Sequence, residues 1–219
     1  MSIPQIEAGD LMHATLRATP FSAEGWLFEI KYDGFRCLTR KEGSRVDLVS
    51  KQGKPLNPSF PDIVAAVESV PGDFVWDAEL TVDDSKGRPS FERLQTRART
   101  SVPMKVRAAA RDNPARLYVF DVLASDGLDL RVLPLAERKD MLRDSFDDTD
   151  TLVYVTGIVS AGVWVFKQVR AHDLEGMVAK RLDSIYHRGK SRDWLKIKYP
   201  DYGRPAALGF GHSRTKAFS

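Results

Sequence analysis

The chain has one cysteine, Cys37, in 219 residues, so no internal disulfide can form and a disulfide-stapled scaffold is excluded. A lone cysteine also fits a reducing compartment. No apolar run approaches the roughly 20 residues a membrane span requires. The N-terminal MSIPQIEAGD has no basic stretch followed by an apolar one, so no secretory leader and no membrane partner are expected, and the default location is cytoplasmic. Internal repeats and low-complexity tracts are missing, and glycine and proline are spread evenly, so no linker stands out. No G-x-x-x-x-G-K-[ST] loop is present, which excludes a P-loop. His13, His172, His187 and His212 lack partners at zinc-ligand spacing.

What remains is the balance of a folded globular chain, with 42% hydrophobic and 29% charged residues. The length suits one domain or two small ones, with a sizeable core. Net charge is +3, but residues 180–219 hold ten Lys/Arg against three Asp/Glu. A cationic section on a near-neutral body suits a polyanionic partner; a solvated basic tail is the plain alternative, and charge alone favours neither.

Residues 26–30 read as a buried strand running into Lys31, and 35–39 with 45–49 as a hairpin. Residues 61–70 read as a helix opened by Pro61, 74–82 as an alternating strand, and 91–99 as a helix capped by Ser90. A central strand is expected over 116–123, helices over 134–146 and 162–171, and short strands over 176–180 and 194–199. The elements mix without βαβ regularity, which predicts an α+β fold with a largely antiparallel sheet.

Five local patterns bear chemistry. Lys31-Tyr32-Asp33-Gly34-Phe35-Arg36 places a lysine after an apolar strand and before a turn. Burial or neighbouring cations would make such an amine nucleophilic; an Asp-Gly hairpin turn with an exposed lysine is the bland reading. In Trp194-Leu195-Lys196-Ile197-Lys198-Tyr199, Lys196 and Lys198 share a strand face, where they repel unless an anion sits between them. A lysine-protected edge strand is equally compatible. Glu175 precedes the strand Gly176-Met177-Val178-Ala179-Lys180, and its oxygens suit a hard divalent ion. Asp77 and Glu79 share a strand face, where they would meet sugar hydroxyls, a metal or plain solvent. Tyr118 and Phe120 share another, where Phe120 would stack on a base or pack in a core.

The order of these patterns is more specific than any one of them. Together with the stretches PFSAEGWLFEIKYDGFR, FDVLASDGLDLRVLPLAERK and LEGMVAKRLDSIYHRGKSRDWLKIK, it resembles the adenylation domain of ATP-dependent DNA ligases, particularly the bacterial end-joining, ligase D type. The likeness runs from about Leu11 to Tyr199. It implies the ligase adenylation fold, which is ATP-grasp-like, with antiparallel sheets and flanking helices. It implies that Lys31 attacks the α-phosphorus of ATP and carries AMP as a phosphoramidate. It implies that Glu29 faces the adenine edge, that Arg36 and Glu79 bind the ribose, and that Phe120 and Met177 cover the two adenine faces. Glu175 would position Mg²⁺ or Mn²⁺, Lys196 and Lys198 would clamp the α-phosphate, and Arg192 would contact phosphate. The partner would be nicked double-stranded DNA.

Two departures are visible. The family usually has Ser-Arg-x-Gly where this chain has Ser50-Lys51-Gln52-Gly53. Lys51 offers a point charge in place of a bidentate grip, which implies weaker binding of the nick phosphate. The expected organisation is an adenylation domain of two subdomains over 1–199 and a short basic tail over 200–219, with no OB-fold domain after it. Either that domain would come in trans from an OB-fold or end-joining partner, or the chain would be a truncated piece of a longer ligase. Two other readings stay open: an RNA ligase or capping-type nucleotidyltransferase, and a non-catalytic module that binds nicked DNA or AMP.

Overall fold

A computed structural model describes residues 3–84, 87–100 and 102–203. The end of the expected tail, from residue 204 on, lies outside them, as does His212. The strands are β1 (Met12–Leu16), β2 (Trp26–Lys31), β3 (Phe35–Glu42), β4 (Arg45–Ser50), β5 (Phe74–Val82), β6 (Ala115–Ser125), β7 (Leu128–Asp129), β8 (Leu152–Tyr154), β9 (Gly157–Val159), β10 (Gly176–Arg181) and β11 (Gly189–Lys198). The α-helices are α1 (Pro61–Glu68), α2 (Phe91–Ala98), α3 (Pro103–Asp112), α4 (Leu135–Ser145) and α5 (Gly162–Ala171).

Two sheets result. Sheet I has five strands in the order β1-β11-β10-β2-β9. Sheet II has six strands: β4-β3-β5-β6-β7, with β8 beside β6. Only β1–β11 and β6–β8 are parallel among the described pairs. The class is the α+β, antiparallel-rich one expected. Lys196 and Lys198 lie on a strand paired on both sides, so the protected-edge reading of that segment falls.

Local chemistry explains the elements. Pro61 opens α1 at its first turn, where a missing N–H costs nothing. Ser90 caps α2 by accepting the Arg93 N–H at 3.4 Å. Strict alternation in β5 turns Phe74, Trp76, Ala78 and Leu80 toward one core, and Val75, Asp77 and Glu79 the opposite way.

Three apolar clusters stack as layers. One lies on the outer face of sheet II, where α1 and α2 pack, and includes Leu48, Phe60, Trp76 and Leu117. Another fills part of the space between the sheets, with Met12, Leu38, Val75, Tyr186 and Trp194. The third joins sheet I to α5 through Phe28, Val165, Val169, Met177 and Ile197. Cys37 is fully buried in the first, and burial pushes its thiol up to about 12. No helix among the described residues is long and apolar enough to cross a membrane.

The link between β2 and β3 positions everything that follows. Asp33 and Gly34 do not close a hairpin, because β2 belongs to sheet I and β3 to sheet II. The chain steps from one sheet to the other immediately after Lys31. Gly34 makes this passage against β5: a Cβ there would stand 2.3 Å from the Leu80 carbonyl oxygen. Only glycine fits without moving a backbone.

Candidate active site

Between the inner faces of the sheets lies a cleft of about 220 Å³. Sheet I supplies Glu29 and Lys31 from β2, Val178 and Lys180 from β10, and Trp194 and Lys196 from β11. Sheet II supplies Arg36, Glu79 and Phe120, and Lys51 follows β4. A larger groove of about 590 Å³ runs beside β3 and β4 and shares Lys51, but none of the other candidate site residues.

Strand register assembles the nucleophile's surroundings. β2 and β10 are antiparallel, with Lys31 opposite Gly176, so Glu175 lies next to the lysine. The Lys31 amine donates to Glu175 Oε2 at 2.6 Å, while Lys198 sits 3.6 Å from Oε1. Gly176 keeps this corner tight, since a Cβ there would lie 2.2 Å from the Ile197 carbonyl oxygen. Lys31 is about a quarter exposed, held yet reachable.

Lys196 lines the cleft and Lys198 follows on the same strand face, more exposed and beside Glu175. Burial, with Lys198, Lys31 and Lys51 nearby, pushes the Lys196 amine below its ordinary value. Burial likewise lowers His13, a further lining residue, with Lys51 and Arg36 adding to it. An anion entering here replaces mutual cation repulsion with attraction.

Arg36 is fixed by two groups. It meets Asp77 through Nε at 2.7 Å and NH2 at 2.5 Å, and the Met12 carbonyl at 2.8 Å. Asp77 also accepts the Tyr186 hydroxyl at 2.7 Å. Asp77 is therefore a buried structural partner and not a solvent-facing acid. Its neighbour Glu79 does reach the cleft, where burial raises its carboxyl to about 7, against the pull of Lys31 and Arg36.

Phe120 owes its place to a β-bulge. Asp77 pairs Asp121 and Ala78 pairs Val119, which leaves Phe120 as the extra residue on β6. The bulge puts its ring in the cleft, with the Lys180 ammonium 4.4 Å from its centroid. Tyr118, on the same strand, stacks on Tyr32 with centroids 3.8 Å apart.

Two of the expected contacts do not assemble. Met177 is buried against α5, because odd-numbered residues of β10 face that helix, and Val178 is the residue that lines the cleft. Arg192 is exposed and is not among the residues lining the cleft; it lies where the β1–β11 register breaks between Ser191 and Leu195. The buried cations Lys139 and Lys180 and the cleft residue His13 are not expected from the sequence. Lys180 follows Glu175 by five residues, but a lysine at the end of a short apolar strand reads as solvated.

The geometry is a lysine amine at the mouth of a cation-lined cleft with an aromatic ring on one wall, between two largely antiparallel sheets, an arrangement that suits the nucleotidyltransferase class. The comparisons narrow this. The chain belongs to the ATP-dependent DNA ligase domain family, whose model matches residues 12–198. It is 31% identical over 205 residues to the bifunctional non-homologous end joining protein LigD of Bacillus subtilis, covering 85% of this chain and 33% of that protein. It is 29% identical to the SPbeta prophage-derived DNA ligase-like protein LigB of the same organism, covering 87% and 67%. The structure of a mycobacterial DNA ligase D complexed with ATP and MES superposes with a TM-score of 0.71 at 29% identity, covering 86% of this chain and 60% of that one. The chain thus spans about a third of the LigD relative, 33% of its length. Family membership implies use of ATP.

Proposed function

We propose that residues 1–199 form the adenylation unit of an ATP-dependent DNA ligase, its two subdomains built on sheets I and II. The observation that carries this is the Lys31 amine, held 2.6 Å from Glu175 at the mouth of the Phe120–Val178 cleft. Adenine lies between Phe120 and Val178 with its edge toward Glu29. The ribose meets Arg36 and Glu79, and the α-phosphate meets Lys196, with Lys198 beyond it.

In the first step the Lys31 ammonium passes one proton to solvent by way of Glu175, and the neutral amine attacks the α-phosphorus. A nitrogen–phosphorus bond forms, the bond to the pyrophosphate oxygen breaks, and pyrophosphate leaves with the second proton of the nitrogen. Lys196 and Lys198 neutralise charge spread over the phosphoryl oxygens, which is the main requirement of such a transfer. In the second step a 5′-phosphate oxygen of nicked double-stranded DNA attacks the same phosphorus and frees Lys31. The 3′-hydroxyl then displaces AMP and the strand is sealed. Lys51 meets the 5′-phosphate as a point charge.

A divalent ion such as Mg²⁺ or Mn²⁺ typically uses one or two protein carboxylates plus substrate phosphates. Among the described residues no cluster of three or more His, Cys, Asp or Glu could hold one, and the single carboxylate of Glu175 at the phosphate end fits that pattern. Such an ion would add charge neutralisation. The single buried cysteine suits the cytoplasm.

The test is intact-mass analysis of the purified chain with ATP and Mg²⁺. The wild type should gain one adenylate and Lys31→Ala none. Equal labelling of the variant would overturn the assignment. Sealing of pre-adenylated nicked DNA separates a ligase from a module that only binds.

A further inference from the structure

Glu29 is 2% exposed, and both of its oxygens are held by lysines. Lys180 Nζ lies 2.6 Å from Oε2 and Lys139 Nζ 2.8 Å from Oε1. The two lysines come from different layers. Lys180 stands on β10, next to β2 in sheet I. Lys139 stands on α4, which packs against β6 of sheet II. Lys139 is itself pinned, donating to the Val155 carbonyl at 2.6 Å with its ammonium 4.2 Å from the Tyr154 ring centroid. Glu29, Lys180 and Val155 line the cleft and Lys139 does not, so Lys139 can affect a ligand only through them.

We propose that Lys139 is a positioning residue that sets which purine the cleft accepts, by fixing the Glu29 carboxylate from the opposite layer. This rests on the reading above, in which a base lies on Phe120 with its edge toward Glu29.

A carboxylate only accepts hydrogen bonds. A 6-amino purine donates to it; a 6-oxo purine turns a lone pair toward it. That difference discriminates only while the carboxylate stays put. With two oxygens on two lysines, Glu29 cannot rotate away from an ill-matched edge. Without Lys139 it is held at one oxygen and can swing aside, and Lys180, freed in part, can donate to a 6-oxo group. The effect belongs to base recognition and not to attack by Lys31, so it should appear in KM and in purine preference more than in kcat. Loss of one hydrogen bond between charged groups corresponds to about a tenfold to hundredfold change.

The experiment measures initial rates of nucleotidyl labelling of the full chain with ATP and with inosine triphosphate, which has a 6-oxo group in place of the 6-amino group and a hydrogen on N1. The variants are Lys139→Met, Lys139→Gln and Lys139→Arg, with Glu29→Gln alone and combined with Lys139→Met. Lys139→Met should raise KM for ATP about tenfold or more, leave kcat within about threefold, and shrink the preference for ATP by about tenfold to a hundredfold. Lys139→Arg should restore the preference. Lys139→Met should take nothing further from it once Glu29 is Gln. If Lys139→Met fails to fold by circular dichroism, Lys139→Gln, which keeps a donor for Val155, carries the comparison with the same expected direction. An unchanged ATP preference, or a fall in kcat alone, would overturn the proposal while labelling itself persists. A wild-type chain that takes no label from ATP would instead overturn the underlying reading.

Discussion

Replacing Gly34 with alanine tests whether the passage between the sheets fixes the nucleophile. The new Cβ would lie 2.3 Å from the Leu80 carbonyl oxygen and 3.0 Å from Glu79 Cγ. A carbon–oxygen contact relaxes at about 3.3 Å, so β3 and β5 must separate locally by about 1 Å. Gly34 is not in the left-handed region, so alanine pays no left-handed penalty and the clash is the main effect. Overpacking of this kind costs about 1–3 kcal/mol, which for a chain of this size lowers Tm by about 2–12 °C. Lys31 is three residues upstream, on the other sheet. A misplacement near 1 Å at a reacting group slows reaction about a hundredfold. The assay pairs a thermal melt with the initial rate of adenylate labelling by intact mass. Gly9→Ala, where a Cβ meets nothing within 4 Å, is the control and should match wild type. If Gly34→Ala melts and labels as the wild type does, the reasoning that this contact sets Lys31 is wrong.

Two further outcomes concern buried charge. Arg138 and Asp121 are both fully buried and paired at 2.8 and 2.9 Å, with Arg138 also donating to the Leu133 and Ser184 carbonyls. Arg138→Met strands the Asp121 charge and should cost about 3–5 kcal/mol in urea unfolding; a loss under about 1 kcal/mol would contradict this, and adding Asp121→Leu should recover much of it. Glu79 has its carboxyl raised from 4.5 to about 7. The folded state therefore holds a proton that the unfolded state releases, and wild-type stability falls as pH rises through that window. Glu79→Gln removes this component, so its stability relative to wild type should grow from pH 4.5 to pH 7.5; a constant difference would refute the raised value.

Periodicity makes much of the frame legible in the amino-acid sequence. The β5 strand and α5 match their expected bounds because each has one apolar side and a clear start. The Met12–Leu16 strand escapes such a reading because MHATL is short and weakly apolar, and it is a strand through its parallel pairing with β11. Helix α3 escapes it too, since PMKVRAAARD buries only Val106 and shows little apolar stripe. In the site, parity is decisive. The segment Gly176–Arg181 is apolar on both faces, so sequence alone does not say whether Met177 or Val178 meets the cleft. Arg138 and Lys139 lie on a helix that reads as amphipathic, and charged side chains there look solvated; their carboxylate partners are 17 and 110 residues away. Long-range ion pairs leave no local trace.

The inert thiol of Cys37 has a practical use. Because it is the chain's single cysteine, sealed inside a core and kept protonated, maleimide dyes will pass it by in the folded protein. Cysteines placed at Leu128 on one sheet and Ile158 on the other, both exposed, will then take a fluorophore pair while Cys37 stays in place. Energy transfer between them will report in real time whether the distance between the two layers changes when nucleotide is added.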